Sequence, residues 1–338
     1  MSGQGATIED VAQAAGVSIM SVSRAMRGVE GLSPATRSRI LGIAARLDYV
    51  PNRVAGSLAA SASNLIGISV PTLFDSVFAE ILDEMRGPLL RTGHELMIET
   101  SDYSRRREEA WIGRVIKWSP AALVVCGTDH SRKSRERLAA SGIPTLEIWD
   151  ATDDPIDLSV GIDHHAAGYA MGAHLVSLGY RRPAYIGTTT GRDPRAEKRV
   201  RGLALAFGGA GIGLVADRRV EGASSFEAGR QGCAQVLDGA AERPDVLCFL
   251  TDHLAFGGLM ECTARGIDAP DAIGIVGFND LGINGVLPRR LTTSRTPRAQ
   301  IGAMAARMLI AAMRGIRKDR AVTLPVELVP GETTRRVG

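Results

Sequence analysis

The stretch Thr7-Ile-Glu-Asp-Val-Ala-Gln-Ala-Ala-Gly-Val-Ser18 decides the fold of the N-terminal part of the chain. Thr7 is a good N-cap residue, and Asp10 three residues later completes a pair that resembles a capping box. Gly16 stops this first helix as a C′ glycine does, and Ser18 can cap a second helix. The stretch therefore predicts two helices joined by a tight glycine turn, a geometry that lets the second helix lie in a DNA major groove.

The second predicted helix covers residues 19 to about 26 and turns its apolar side inward. A third helix begins at Ser33-Pro34, an N-cap followed by proline at the first helical position. On the outward face of the second helix, Arg24 can reach a guanine edge, and Ser21 or Ser23 can reach a phosphate. The spacing alone also fits a three-helix bundle that contacts other proteins.

Length and composition limit the classes of protein to which the chain can belong. Its 338 residues predict about two domains, and 45% hydrophobic with 23% charged residues is ordinary for a globular protein. No apolar run approaches the ~20 residues that span a bilayer, and the N-terminus lacks a secretory signal, so we expect a cytoplasmic protein without a membrane partner. The four cysteines contain no C-x-x-C pair and are expected to be reduced thiols. The net charge of +3 is too small to prove a nucleic-acid partner.

Four segments of the N-terminal region, residues 7–18, 22–25, 32–37 and 49–55, together resemble the head of the lactose/galactose repressor (LacI/GalR) family. The resemblance implies a transcriptional repressor that binds a palindromic operator in double-stranded DNA. It also implies a hinge that forms a short helix on the operator, with Leu58 as a wedge in the minor groove. The residues expected to contact DNA are Thr7, Ser18, Ile19, Met20, Ser21, Ser23, Arg24, Asn52, Arg53, Ala55 and Leu58.

From residue 65 onward, short apolar runs alternate with helical stretches, an order typical of doubly wound parallel sheets. There are too many such units for one sheet of usual size, so we expect two lobes. Residues 174–180 and 276–280 resemble the periplasmic-binding-protein-like sugar sensor of the same family. The expected fold class is an all-α helix-turn-helix head followed by a two-lobed α/β body.

The expected domain bounds follow from this organisation and from the resemblance. The helix-turn-helix domain takes residues 1–50, the hinge and linker 51–63, and the effector-binding and dimerisation domain 64–338. Within the last domain, lobe 1 is expected to cover about 64–161 with 292–321, and lobe 2 about 162–291 with 322–338.

Ligands of open α/β sheets lie beyond the carboxyl ends of the strands, and in a two-lobed sensor both sets of ends face one cleft. By the resemblance, Arg199 matches the family arginine that holds the effector, and a guanidinium can clamp a carboxylate. Asn279 stands where many family members have an aspartate, and a neutral amide there suits an anionic ligand. The candidate effector residues are Pro71, Leu73, Phe78, Cys126, Glu147, Asp150, Asp163, Arg199, Thr251, Asp252 and Asn279.

The effector is suggested by a closer resemblance to the gluconate-type branch of the family, carried by residues 19–24, 71–73, 77–80, 146–150 and 160–163. It implies gluconate, 2-ketogluconate or a related aldonic acid, which is expected to release the protein from DNA. A neutral sugar is the main alternative, and a phosphorylated sugar acid is another.

Other function classes receive less support from the sequence. No G-x-S-x-G elbow, Walker loop or H-E-x-x-H motif occurs, so we expect neither an enzyme, a catalytic residue, a cofactor nor a metal site. A sugar-binding module without regulation and a nucleoid-type architectural protein are alternatives that the DNA head and the large body, respectively, disfavour. The resemblance implies a homodimer at the bacterial nucleoid, and the absence of a C-terminal leucine heptad argues against a tetramer.

Overall fold

The computed structural model describes residues 6–49, 63–74, 76–189 and 193–337. The expected DNA contacts of the hinge, Asn52, Arg53, Ala55 and Leu58, lie outside these residues. The chain divides into two compact units, Met1–Ser63 and Asn64–Gly338, and each is described by itself. No helix in the described part of the chain is long and apolar enough to cross a membrane.

The first unit contains the three predicted helices, α1 (Ile8–Ala15), α2 (Ile19–Arg27) and α3 (Pro34–Arg46). Thr7 and Asp10 form the predicted capping box, and Gly16 adopts the left-handed conformation (φ 61°) that the tight turn requires. The three helices close on a small apolar core centred on Val11, Val22 and Ile40. Because this core is small, the helix caps and the glycine turn contribute a large share of the stability of this unit.

Lobe 1 of the second unit is built on a six-stranded parallel sheet of order β11-β5-β4-β3-β1-β2. Its strands are β1 (Leu65–Val70), β2 (Glu95–Thr100), β3 (Ala122–Cys126), β4 (Thr145–Asp150), β5 (Leu158–Ile162) and β11 (Ala321–Leu324). Its helices are α4 (Ser76–Arg91), α5 (Arg105–Val115), α6 (Arg132–Ser141) and α11 (Arg298–Met313). The apolar runs of the inner strands are buried on both faces, as expected for a covered parallel sheet.

Lobe 2 is built on a four-stranded parallel sheet of order β7-β6-β8-β9. Its strands are β6 (Pro183–Thr188), β7 (Ala216–Val220), β8 (Val246–Phe249) and β9 (Gly274–Val276). Its helices are α7 (His164–Ser177), α8 (Pro194–Gly209), α9 (Phe226–Gly239) and α10 (Asp252–Ala264). A short antiparallel ribbon, β10 (Thr293–Arg295) with β12 (Glu327–Val329), lies where the chain passes between the lobes. The helical head and the two-sheet α/β body confirm the predicted fold class.

The structure corrects one expected lobe boundary. β11 pairs in parallel with β5, so residues up to 324 belong to the sheet of lobe 1, whereas lobe 2 was expected to resume at residue 322. The chain crosses between the lobes after β5, after β10 and after β11. These crossings bring the carboxyl ends of both sheets to one cleft.

Candidate functional site

The outward face of α2 is the first candidate surface. Ile19 and Met20 are exposed at 47% and 61%, so the start of this helix presents two large apolar side chains to solvent. Arg24 is also exposed, whereas Val22 and Ala25 are buried against the other two helices. Of the residues expected to read DNA, Ser18, Ile19, Met20 and Arg24 are exposed, Ser21 and Ser23 are half-buried, and Thr7 is exposed at the start of α1.

The second candidate is a cavity between the two lobes with a volume of about 330 Å³, within the usual range for small-molecule sites. We call it the first cavity. It is lined by Pro71, Thr72, Phe74, Val77, Phe78, Asp102, Tyr103, Trp149, Thr188, Asp193, Arg195, Arg199, Ala223, Ser224, Leu250, Thr251, Phe278 and Asn279. Five of the chain's fifteen Phe, Tyr and Trp side chains are in this set, so the wall is rich in flat apolar surface.

The aromatic side chains of the wall contact one another in a row. Phe78 and Trp149 pack edge to face with ring centroids 5.9 Å apart, and Trp149 packs in the same way on His164. Beyond His164 lies Phe278, and the Arg199 guanidinium lies over its ring at 4.3 Å from the centroid. The row joins the two lobes and holds the arginine in a fixed position.

Arg199 carries the charge that matters most in this cavity. Its Nη1 donates to His164 Nδ1 at 2.8 Å, and its Nε is buried without a hydrogen-bond partner. No carboxylate of the described residues forms an ion pair with it, and burial lowers the pKa of its guanidinium. Because an unpaired buried cation is costly, this group is prepared to receive an anion.

The protonation of His164 follows from its neighbours. Arg199 can only donate, so Nδ1 of His164 must accept, and the ring proton is on Nε2, which donates to the carbonyl oxygen of Trp149 at 3.2 Å. Burial and the nearby cationic charges, Arg199 first among them, lower the pKa of His164 well below its usual value. The imidazole is therefore neutral and accepts from Arg199 without bringing a charge of its own.

The other charged groups of the lining are already paired. Asp193 accepts from Arg195 Nε at 2.6 Å, and Asp102 forms an ion pair with Arg107. Arg195 also donates through Nη1 to Cys126 Sγ at 3.0 Å. Arg199 is thus the charged group of this lining that forms no ion pair with a carboxylate of the described residues, although the charge of Asp193 acts on it at longer range.

Asn279 adds a buried acceptor without a hydrogen-bond partner to the lining of the same cavity. Its side chain is buried, and Oδ1 has no hydrogen-bond partner. Its backbone has φ 114°, outside the conformations that most residues adopt, and its N–H donates to the Ser294 carbonyl at 2.9 Å. An amide oxygen without a partner and a guanidinium without a carboxylate, both in one lining, suit a ligand that has both a carboxylate and a hydroxyl group.

A second cavity of about 470 Å³ adjoins the first and shares Pro71, Tyr103, Asp193 and Arg195 with it. Cys126 and Asp150 line this second cavity. Burial raises the pKa of the Cys126 thiol to about 12, so the thiol is protonated. Asp150 binds Lys198 Nζ through both carboxylate oxygens, at 2.7 and 2.9 Å, which ties α8 of lobe 2 to β4 of lobe 1.

The candidate effector residues fall into three groups in the structure. Pro71, Phe78, Arg199, Thr251 and Asn279 line the first cavity. Pro71 also reaches the second cavity, with Cys126 and Asp150. Leu73, Glu147, Asp163 and Asp252 line neither cavity.

Three of the four residues outside the cavities are occupied by local contacts. Glu147 is fully buried and accepts from the Ile156 N–H at 2.7 Å. Asp163 caps α7 by accepting from the Ala166 N–H. Asp252 accepts from Thr293 and the Leu281 N–H, and burial raises its pKa to about 6. The fourth, Leu73, is an exposed loop residue.

Sequence reasoning did not single out several lining residues, among them Tyr103, Asp193, Arg195 and Phe278. One signal was available for Arg195, which precedes Arg199 by four residues and therefore shares its helix face. Phe278 adjoins Asn279 in the quoted motif. Tyr103 and its neighbour Asp102 both adopt positive φ in a loop that no pattern predicts. In the described residues, no group of His, Cys, Asp and Glu could hold a metal ion.

Two family descriptions match the chain. Residues 7–52 match the bacterial regulatory proteins of the lacI family, and residues 173–334 match a periplasmic binding protein-like domain. The HTH-type transcriptional regulator GntR of Pseudomonas aeruginosa is 34% identical, over 97% of this chain and 95% of its own length.

Solved structures show the same architecture. A LacI family transcriptional regulator from Silicibacter pomeroyi is similar at a TM-score of 0.91 and 35% identity, over 98% of this chain and 100% of the other. The lac repressor dimer bound to operator and the anti-inducer ONPF is similar at a TM-score of 0.82 and 24% identity, over 98% and 100% of the two chains. The second likeness concerns the fold alone.

Proposed function

The chain belongs to the lacI family of bacterial regulatory proteins and is a DNA-binding transcriptional regulator, and from this premise we propose that it is a homodimeric repressor released from a palindromic operator by a sugar acid. The effector is gluconate or a related aldonic or ketoaldonic acid. Its regulatory relatives are not enzymes, and the proposed site is a binding site without chemistry.

The unpaired guanidinium of Arg199 carries the proposal of an anionic effector. Asp102 and Asp193 each have their own arginine partner, so neither carboxylate forms an ion pair with Arg199. A carboxylate placed on Arg199 would satisfy its buried Nε and form a charge-assisted, bidentate contact. A neutral sugar would leave this charge uncompensated.

The remaining lining fits the rest of a sugar acid. Asn279 Oδ1 can accept a hydroxyl proton of the ligand, and Thr251 and Ser224 offer hydroxyl groups on the lobe 2 side. The aromatic row provides a flat surface for C–H groups. A phosphorylated acid would bring more negative charge than one guanidinium balances, which disfavours that alternative.

On the DNA side, we propose that α2 enters the major groove with Ile19, Met20 and Arg24 facing the bases. Their common exposure on one face of the helix supports this assignment. The hinge assignment of Asn52, Arg53, Ala55 and Leu58 rests on the family resemblance. A twofold dimer would match an inverted repeat in the operator.

Induction follows if the effector binds the two lobes better in one arrangement than in the arrangement that is competent for DNA. Arg199 and Asn279 lie in lobe 2, whereas Phe78 and Trp149 lie in lobe 1. A ligand that contacts both sets would therefore favour one relative position of the lobes.

Thermal unfolding of the purified protein against a ligand panel tests the effector. The panel contains gluconate, 2-ketogluconate, neutral hexoses and pentoses, and phosphorylated sugar acids. At 100 times its dissociation constant, an effector should stabilise the protein by about 2.7 kcal/mol. Arg199→Met should weaken sugar-acid binding roughly 100-fold, because a charge-assisted contact contributes about 3 kcal/mol.

Arg201→Met is the matched control, because Arg201 is exposed on the same helix and lines neither cavity. It should leave the stabilisation by sugar acids unchanged. A stabilisation produced only by neutral sugars would refute the anionic effector while leaving the regulator itself intact. Release of a selected palindromic DNA by the same ligand would complete the test of the repressor.

A further inference from the structure

Asn279 lines the first cavity from an unusual backbone turn, and its Oδ1 is buried without a hydrogen-bond partner. Asn279 and Asp280 are consecutive residues with positive φ, 114° and 51°, and neither is glycine. The φ of Asp280 lies in the left-handed helical region that Asn and Asp tolerate, whereas the φ of Asn279 lies outside it and persists only where neighbouring groups impose it. Whatever imposes this turn also determines where Asn279 Oδ1 lies.

One guanidinium contacts the backbone of both residues. Arg298, the first residue of α11, donates through Nη1 to the Asn279 carbonyl and through Nη2 to the Asp280 carbonyl, the latter at 3.3 Å. The same Nη1 also donates to Thr296 Oγ1 at 3.0 Å. The Arg298 side chain is only 10% exposed, so these contacts are shielded from water.

Glu80 fixes the orientation of this arginine. Its Oε2 accepts from Arg298 Nε at 2.5 Å, so the guanidinium is held on its opposite side. Glu80 lies on α4 two residues after Phe78, which lines the first cavity. Glu80 and Arg298 belong to lobe 1, whereas the turn that they hold follows β9 of lobe 2.

We infer that Arg298, oriented by Glu80, is a positioning residue that holds the Asn279–Asp280 turn and so sets the selectivity of the cleft for ligands that donate a hydroxyl group. The inference rests on the proposed function in one respect, that the cleft binds a sugar acid. Arg298 lines neither of these two cavities, so we expect no direct contact between it and the proposed ligand. Its effect passes through the position of Asn279.

The side chain of Asp280 has anchors of its own, which separates the two halves of the turn. Arg295 Nε and Asn284 Nδ2 donate to its carboxylate at 2.7 and 2.9 Å. The side chain of Asn279 has no comparable anchor at Oδ1. Loss of Arg298 should therefore release Asn279 more than Asp280.

The first arm of the test needs no ligand. Backbone hydrogen exchange of residues 279–281 is compared in the wild-type protein, Arg298→Met and Arg317→Met. Arg317 is the matched control, because it also pairs with a carboxylate, Asp157, and contacts a backbone carbonyl, that of Ala312. We expect exchange in this segment to become at least tenfold faster in Arg298→Met and to stay unchanged in Arg317→Met. Equal exchange in all three proteins would overturn the inference.

The second arm is a double-mutant cycle with gluconate and 2-ketogluconate as calorimetric probes. Asn279→Ala and Arg298→Met should each weaken binding about tenfold relative to the wild type. The double variant should also bind about tenfold more weakly than the wild type, the same loss as each single variant. Losses that multiply to about 100-fold would show that Arg298 acts independently of Asn279 and would overturn the inference. Arg298→Lys, which can hold one carbonyl, should recover part of the affinity.

The two arms separate the inference from the proposed function. If the wild-type protein binds neither probe, the sugar-acid proposal fails, and the exchange arm still decides whether Arg298 holds the turn. If Arg298→Met does not fold, Glu80→Gln replaces it, because Glu80 is a partly exposed residue that only orients the arginine. In Glu80→Gln, backbone hydrogen exchange of residues 279–281 should become two- to threefold faster. An unchanged exchange rate would contradict the inference.

Discussion

The two lobes share one architecture but contribute different chemistry to the cleft between them. Lobe 1 supplies flat apolar surface through Phe78 and Trp149, whereas lobe 2 supplies Arg199 and the free acceptor of Asn279. A parallel sheet with covering helices dictates neither contribution. Under the proposed function, lobe 1 would recognise the shape of a ligand and lobe 2 its charge and hydroxyl groups.

The lobes also differ in how closely their helices pack. In lobe 2, a Cβ placed on Gly168 or Gly202 would lie 2.0 Å from a backbone carbonyl oxygen of the facing helix, so α7 and α8 touch through their backbones. In lobe 1, the corresponding contact of Gly302 on α11 is looser, with a Cβ 2.5 Å from the Ile81 carbonyl. The close crossing fixes α8, and with it the position of Arg199.

The largest expected effect comes from a substitution that disrupts the close contact between α7 and α8 in lobe 2. Gly202→Ala would force the added methyl against the His165 carbonyl, so we expect it to lower the free energy of unfolding by about 3 kcal/mol. Urea denaturation of the purified protein measures this change.

Gly208→Ala is the control for that substitution. It lies in the same helix with no atom within 4 Å of the added Cβ, and it should raise stability slightly, by about 0.5 kcal/mol. Equal stability of the Gly202 variant and the wild type would show that the backbones of α7 and α8 can separate without loss.

Each lobe contains one buried histidine, and the two have opposite protonation states. In lobe 1, the ring of His130 faces only acceptors, the Glu108 carboxylate at 2.7 Å and the Gly127 carbonyl at 2.9 Å, so both nitrogens donate. Burial opposes this charge, but the hydrogen bonds and charges of Glu108 and Glu147 outweigh it and raise the pKa of His130 to about 9. In lobe 2, His164 is neutral.

The second prediction concerns the alkaline side of the stability profile. Because the pKa of His130 is raised in the folded state, its stabilisation is complete below its ordinary value of 6.5 and disappears as the pH rises through 9. We expect the free energy of unfolding to fall by up to about 3 kcal/mol across this range. His130→Gln should flatten the profile there, and an unchanged slope in that variant would contradict the assignment.

The third prediction concerns the stability of the protein at acidic pH and the buried histidine of lobe 2. His164 has a lowered pKa, so its neutral ring contributes stability above 6.5 that is lost as the pH falls toward its folded-state value. The free energy of unfolding should therefore fall with a slope of up to about 1.4 kcal/mol per pH unit below 6.5. His164→Asn should reduce this slope, measured by chemical denaturation between pH 5 and 7, and an equal slope would refute the neutral ring.

Much of the architecture could be predicted from sequence because burial leaves a periodic record. The apolar runs at 65–70, 122–125 and 246–250 correspond to β1, β3 and β8 within one residue at each end. β7 was not predicted, since it is an edge strand whose central residues Asp217 and Arg218 are exposed and polar. A strand without a buried face on most of its length has no alternating pattern to detect.

The site was less accessible from sequence than the fold. The rule that ligands lie beyond strand ends found Pro71 and Thr251, and the family resemblance found Arg199. The same rule placed Glu147 and Asp252 near a ligand, although both are buried in local hydrogen bonds. Asp193 pairs with Arg195 and Asp102 with Arg107, each within one lobe, and a single sequence does not say which of several neighbouring arginines a carboxylate takes.

The smallest expected effect separates two neighbours on α8. Lys198 joins the lobes through Asp150 but lines neither cavity, whereas Arg199 lines the first cavity without a carboxylate partner in the described residues. Lys198→Met should therefore weaken sugar-acid binding only about threefold, by making the joined arrangement of the lobes less favourable. This corresponds to about 0.7 kcal/mol, against the roughly 100-fold loss expected for Arg199→Met.

Asp150→Asn is the matched variant, and combining it with Lys198→Met should add little, since the two substitutions remove the same contact. If Lys198→Met weakened sugar-acid binding as much as Arg199→Met, both cations of α8 would act on the ligand together. The division between a cation that binds the ligand and one that joins the lobes would then be incorrect.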